Sequence, residues 1–258
     1  MAKIYTTEIT SETLLSDNPI HQRLFKAYVA ALDYVHGEVL EIGCGEGRGV
    51  ELLLQKASRF TAVDKIDQAL ATLRQKFPQA DFIAMNLPPL TGLPDNHFDC
   101  VISFQVIEHI KDDRLFLQEV NRVLKPGGMA LITTPNRKMS LTRNPWHVRE
   151  YLASELKTLA QLVFASVEMK GITGNEKVMA YYEQNRKSVR RITRWDVLNL
   201  QHNLPSWMLR LPYELLNRFN RNRLQKANSN MVTSITDADY RITNNAEDAL
   251  DLFLLVRK

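Results

Sequence analysis

Short continuous apolar runs alternate with stretches of helical spacing along the first two thirds of the chain. The runs are EVLEIG (38–43), RFTAVD (59–64), DFIAMN (81–86), FDCVISF (98–104) and MALITT (129–134). A strand covered on one face alternates apolar and polar residues, whereas a strand buried on both faces reads as unbroken apolar sequence. Between the runs, residues 47–57, 67–76 and 112–124 carry helical patterns. In the last of these Leu115, Phe116, Val120, Val123 and Leu124 share one face, and Pro126-Gly127-Gly128 marks its end. Strand–helix alternation of this kind predicts an α/β fold: a doubly wound, mostly parallel sheet with helices on both faces. A helix over 150–164, a sixth strand at 164–172 and a final strand at 249–258 complete a seven-stranded sheet in a single domain, 1–258. The rhythm breaks twice. Residues 1–35 predict an N-terminal helical cap with Pro19 near the start of its helix. Residues 175–240 predict a helical insertion before the last strand, with Pro212 dividing it into short helices.

Composition adds little to this picture. Apolar residues make up 45% of 258 and charged residues 24%, the profile of a chain with an ordinary core. No run of about 18 apolar residues predicts a membrane span, and the opening MAKIYTTEITSETLL lacks the apolar stretch of a secretory signal. Cys44 and Cys100 are too few for a disulfide scaffold or a cysteine-rich metal site, so the expected location is cytoplasmic and no metal is expected. Charge is more informative. The net charge is +4, but residues 181–226 hold ten Lys/Arg against three acids, leaving the rest of the chain slightly acidic.

The chemistry is concentrated at strand ends. Glu41-Ile42-Gly43-Cys44-Gly45-Glu46-Gly47 closes the first strand and opens a helix. It is not the dinucleotide fingerprint G-x-G-x-x-G. Counted from Gly43, the third glycine falls on Arg48; counted from Gly45, on Val50. This disfavours a nicotinamide dehydrogenase. Asp64 ends the second strand, 17 residues after Gly47, where an acid can accept hydrogen bonds from both ribose hydroxyls or simply cap the next helix.

From 38 to 135 the chain resembles the class I S-adenosylmethionine-dependent methyltransferases, which have a Rossmann-like fold. The resemblance rests on EIGCGEG, Asp64, LPDNHFDCVISFQVIEHI (93–110) and EVNRVLKPGGMALITTPN (119–136), and is nearest to the type 11 branch. NPWHVREYLASEL (144–156) also resembles a segment of some members. The resemblance implies S-adenosylmethionine as cofactor. It implies Glu41 near the cofactor's amino group, Gly43, Cys44 and Gly45 along the methionine moiety, Asp64 on the ribose and Lys65 beside the adenine. Asn86 and Leu87 would meet the adenine edge, and Phe104 and Gln105 would close the site. Many members carry Asp where this chain has Asn86.

Such chemistry requires an acceptor atom in line with an activated methyl group and, for a hydroxyl acceptor, a base. His109 after the fourth strand and His147 after the fifth are the candidate bases, each with a plain orienting role as the alternative. His97 is read as a surface residue, and the two cysteines as packing residues. Asn86-Leu87-Pro88-Pro89 lacks the position and the aromatic residue of the amino-methyltransferase motif.

Three functions follow as expectations. The first is methyl transfer, foremost to oxygen, on a small-molecule, glycan- or lipid-linked acceptor. The second is a non-catalytic cofactor-binding module. The third is an RNA or DNA methyltransferase using the basic 181–226 segment. With the first comes an expectation of peripheral contact at the inner membrane face through 181–226.

Overall fold

The structure is a computed structural model and describes residues 14–194, 196 and 199–258. Eight strands form one sheet in the order β3-β2-β1-β4-β5-β8-β6-β7. β1 (Glu38–Ile42), β2 (Arg59–Asp64), β3 (Asp81–Ala84), β4 (Phe98–Phe104) and β5 (Leu124–Pro135) run parallel. β8 (Asp251–Arg257) lies antiparallel between β5 and β6 (Ser166–Gly174). The doubly wound α/β class expected from the sequence holds, with one strand more than the seven predicted. The extra strand, β7 (Tyr240–Thr243), pairs antiparallel with the last four residues of β6. Its four residues, YRIT, are too short to stand out as an apolar run, and they gain strand structure only by pairing with an edge.

The crossover helices are α2 (Val50–Leu54), α3 (Asp67–Lys76), α4 (Asp113–Val123) and α5 (Ala153–Gln161). Asp112 caps α4, its carboxylate accepting the Leu115 amide at 2.9 Å. α4 then buries Phe116, Leu117, Val120 and Val123, each stabilising by about 1.5–3 kcal/mol. Pro126-Gly127-Gly128 does not precede the fifth strand as predicted. β5 already begins at Leu124, and its pairing with β4 shifts register between Phe98 and Cys100.

Both faces of the central strands are covered. On β8, Phe253 and Leu255 enter one core cluster, while Leu252, Leu254 and Val256 enter the other, which is the two-residue period of a strand covered on both sides. Of the predicted cap, residues 1–13 lie outside the described residues. The rest holds α1 (Asn18–Ala31), with Pro19 in its first turn.

The helical insertion follows β6 and precedes β7, so it does not lead straight into the last strand. It contains α6 (Glu176–Thr193), α7 (Leu200–Asn203), α8 (Ser206–Ala227) and α9 (Ser229–Ser234). Pro212 does not divide it as predicted; α8 runs through that proline for 22 residues. Pro212 is exposed on a helix face where the missing amide costs one bond without breaking the packing.

Candidate active site

In the strand order the direction of winding reverses between β1 and β4, and a crevice forms beyond the carboxyl ends of such a pair. A cavity of about 300 Å³ lies there. Of the residues assigned to the cofactor from sequence, Gly43, Cys44, Gly45, Asp64, Lys65, Asn86, Leu87, Phe104 and Gln105 line it, whereas Glu41 is buried and is not part of the lining.

The loop after β1 is shaped by its glycines. Gly43 has φ +78° and Gly45 φ +53°, values that side chains disfavour. A Cβ on Gly43 would come within 2.3 Å of Val106 Cγ2, so the loops after β1 and β4 approach as closely as they do only with glycine there. A Cβ on Gly45 would meet nothing within 4 Å; this backbone is open for a ligand to approach. The Gly45 amide donates to Asp64 Oδ2 at 2.9 Å and the Ile66 amide to Asp64 Oδ1 at 2.9 Å. Asp64 therefore joins the glycine loop to the start of the next crossover, and lines the cavity as well.

Glu41 is 1% exposed. Its Oε1 accepts a hydrogen bond from the Tyr28 hydroxyl at 2.7 Å, and its Oε2 has no partner among the described residues. Burial, aided by the like charge of Asp64 and opposed by the Tyr28 hydrogen bond and Arg48, raises its pKa to about 7. A buried carboxyl with an unsatisfied oxygen, at the end of β1 beside an open glycine loop, suits the ammonium group of an amino-acid ligand. The residues present thus fit S-adenosylmethionine. Glu41 and the glycine loop would hold its methionine end, Asp64 its ribose, and Ile66, Asn86 and Leu87 its base.

Tyr28 and Leu24, four residues apart on α1, also line this cavity, and Tyr28 packs edge-on against Phe104 with centroids 4.9 Å apart. The sequence predicts a helix here but carries no motif that ties it to the site. The i, i+4 pair of apolar side chains was the available signal.

A second cavity, of about 260 Å³, adjoins the first, and Leu24, Gln105 and His109 belong to both walls. Gln105 holds φ +60°, a strained value for a residue with a side chain; its amide donates to Thr133 O at 2.9 Å and its Nε2 to Thr133 Oγ1 at 3.2 Å. His147 lines the second cavity together with Glu108, Glu150, Arg23, Arg221 and four tyrosines, Tyr181, Tyr182, Tyr213 and Tyr240. The insertion thus contributes walls to this cavity through α6 and α8.

The two histidines pack edge-on, 5.0 Å between centroids, yet their environments differ. His109 Nδ1 lies 3.0 Å from the Trp146 carbonyl oxygen. Nδ1 must carry the proton to donate there, so in the neutral ring Nε2 is the basic nitrogen. His147 is held at both nitrogens, Nδ1 2.7 Å from Glu150 Oε1 and Nε2 2.8 Å from Asn144 Nδ2. This geometry orients His147 and occupies its basic nitrogen. Glu108 beside them is 1% exposed and accepts from Thr134 Oγ1 at 3.0 Å; burial raises it to about 7, opposed by the neighbouring His147. One donor atom each from Glu108, His109 and His147 lies within 4.8 Å of the others. Within it His147 is bonded at both nitrogens and His109 at Nδ1. Cys44 and Cys100 are buried and their thiols pushed up, the latter to about 12, as expected for packing residues.

Residues 40–132 match a family model described as a methyltransferase domain. A probable S-adenosylmethionine-dependent methyltransferase of Mycolicibacterium smegmatis is 41% identical over 136 residues, covering 51% of this chain and 52% of that protein. A ubiquinone biosynthesis O-methyltransferase of Xanthomonas oryzae is 30% identical over 115 residues, 43% of this chain and 48% of its own. The chain spans about half the length of the curated relatives it matches. In fold it is similar to a possible histamine N-methyltransferase of Thermotoga maritima, with a TM-score of 0.57 at 14% identity over 93% of this chain and 91% of that one. Residues 40–132 therefore match the type 11 methyltransferase domain, and the 41%-identical relative is named a probable S-adenosylmethionine-dependent methyltransferase.

Proposed function

We propose that the protein transfers a methyl group from S-adenosylmethionine to an acceptor held in the second cavity, and that the attacked atom is oxygen. The observation that carries this reading is His109, on the wall common to both cavities and fixed by the Trp146 carbonyl in the tautomer whose Nε2 is basic. When bound, S-adenosylmethionine supplies an activated methyl group. The chain supplies placement, exclusion of water and a proton acceptor. The Asp64–Gly45 hydrogen bond holds the cofactor loop, and Leu24 and Tyr28 of α1 cover it. For a hydroxyl acceptor, His109 Nε2 would be the group that takes up the proton. His147, fixed by Glu150 and Asn144, positions His109 and shapes the acceptor wall.

The O-methyltransferase named among the relatives supports oxygen over nitrogen. The nucleic-acid reading loses support in the basic segment itself. Arg218 and Arg221 bind the buried Asp17 at 2.9 and 3.2 Å, Arg210 stacks on Trp146, and Arg186 pairs with Glu183. Arginines committed to such contacts are poorly placed to neutralise phosphates. The test is S-adenosylhomocysteine binding together with methyl transfer from labelled S-adenosylmethionine to a panel of hydroxylated aromatic, glycan and lipid acceptors. Cofactor binding without transfer to any of them would favour the non-catalytic module.

A further inference from the structure

The stripe Trp207, Leu211, Leu215 and Phe219 repeats every four residues along α8, a spacing that in most helices faces the core. Here it faces outward: the four side chains are 71%, 66%, 63% and 63% exposed. The side of α8 that packs carries Asn220 and Leu224, its two buried residues, with Arg218 and Arg221 beside them. Asn220 is buried and bonds Ser188 and Asn185 of α6, and Arg218 and Arg221 hold Asp17 beneath α8. Met208 and Leu216, 43% and 49% exposed, widen the outward apolar face. The same four-residue series continues to Arg223, and Lys226 lies seven residues after Phe219; both are exposed.

A third cavity, of about 380 Å³, lies between α6, α7 and α8. Its lining is largely apolar, with Ile192, Leu200, Leu204, Met208, Leu209 and Leu216 among the residues. It shares Thr142, Val189, Tyr213 and Asn217 with the second cavity. The first cavity, the polar second and the apolar third therefore form one series, each sharing walls with the next, and Met208 and Leu216 belong both to the last of them and to the exposed face of α8.

We propose that α8 seats on an anionic lipid bilayer and that the third cavity takes the hydrocarbon chain of an amphiphilic acceptor whose polar head lies in the second. A helix with Trp, Leu and Phe on one face and Lys/Arg beside them lies in the plane of a membrane interface, and its binding grows with buried apolar area and with anionic lipid. Arg223 and Lys226, exposed beside the stripe, supply the matching charge. Among the described residues no helix is long and apolar enough to cross a membrane, and surface seating requires none. The docking half stands independently of the methyl-transfer reading; the acceptor half rests on it.

The experiment is flotation of the full chain with vesicles of phosphatidylcholine alone and with phosphatidylglycerol added, alongside S-adenosylhomocysteine calorimetry on the same samples. The expected result is flotation with the anionic vesicles, reduced by salt. Leu211→Glu with Leu215→Glu, two exposed positions that line none of the three cavities, should reduce it at least tenfold while S-adenosylhomocysteine affinity stays unchanged. Arg223→Glu with Lys226→Glu should reduce it by roughly tenfold on anionic vesicles. Absence of flotation, or equal flotation by the leucine variant, overturns the docking half whatever the cofactor result. So does a wild-type dimer that the leucine variant converts to monomer, because the stripe would then cover a second copy. For the cavity, the fluorescent fatty acid parinaric acid should bind saturably, and Leu216→Trp should weaken it at least fivefold. No saturable binding, or equal binding by that variant, overturns the acceptor half.

Discussion

The Tyr28 hydroxyl donates to Glu41 Oε1 at 2.7 Å, joining the N-terminal helix to the end of the first strand inside the core. Through this bond α1 becomes a wall of the cofactor cavity. Tyr28→Phe would leave a buried carboxyl without its partner, a loss of about 1–3 kcal/mol. Chemical denaturation of the variant should show a destabilisation of that size, together with a Glu41 pKa above its present value of about 7, since the Tyr28 hydrogen bond lowers it.

Glu41 and Glu108 are both raised to about 7, chiefly by burial. Between the ordinary carboxyl value and about 7 the folded state therefore binds more protons than the unfolded chain. Stability must fall as pH rises through that window, and level off above it. The loss is on the order of 3 kcal/mol per carboxyl at most. Urea unfolding from pH 4.5 to 8 in the absence of ligand should show this decline, and Glu41→Gln should remove its share of the slope. A stability that rises over the window would contradict the buried-carboxyl account.

Binding of an ammonium beside Glu41 favours the ionised carboxylate. S-adenosylhomocysteine uptake near pH 6 should therefore release up to one proton, visible as a dependence of calorimetric heat on buffer ionisation enthalpy. Glu41→Gln should abolish the release.

The two histidines should separate kinetically. His109→Ala is expected to cut turnover by roughly 10²–10⁴ with S-adenosylhomocysteine affinity near normal, the range for losing a general base. His147→Ala removes a ring bonded to Glu150 and Asn144. It should raise KM and lower stability by about 1–3 kcal/mol, leaving the pH dependence of kcat in place. Steady-state kinetics across pH distinguishes them; identical profiles for the two variants would remove the distinction in roles.

Much of this site was legible in the chain because its residues cluster at strand ends that the apolar runs mark out. Gly43, Gly45, Asp64 and Gln105 each follow or end a run, and the parallel sheet carries those ends to one edge. Three features were not legible. β7 is too short to show a period and exists only by pairing with β6. Tyr28 enters the site from a helix about ten residues before β1, where sequence proximity to a motif says nothing. The α8 stripe has the spacing of a core helix, and periodicity gives the face but not its direction. Its outward orientation is set by the buried Asp17, which draws Arg218 and Arg221 inward, and by Asn220 against α6.

The proposed function requires that the cavity at the ends of β1 and β4 hold S-adenosylmethionine, with Asp64 on its ribose. Isothermal titration of S-adenosylhomocysteine into the wild-type protein and Asp64→Ala tests it most directly. Saturable one-to-one binding to the wild type is expected, weakened in the variant by about 1.5–3 kcal/mol, the scale for hydrogen bonds to a charged group. Equal affinity in the two proteins, or binding of NADH with none of S-adenosylhomocysteine, would contradict it.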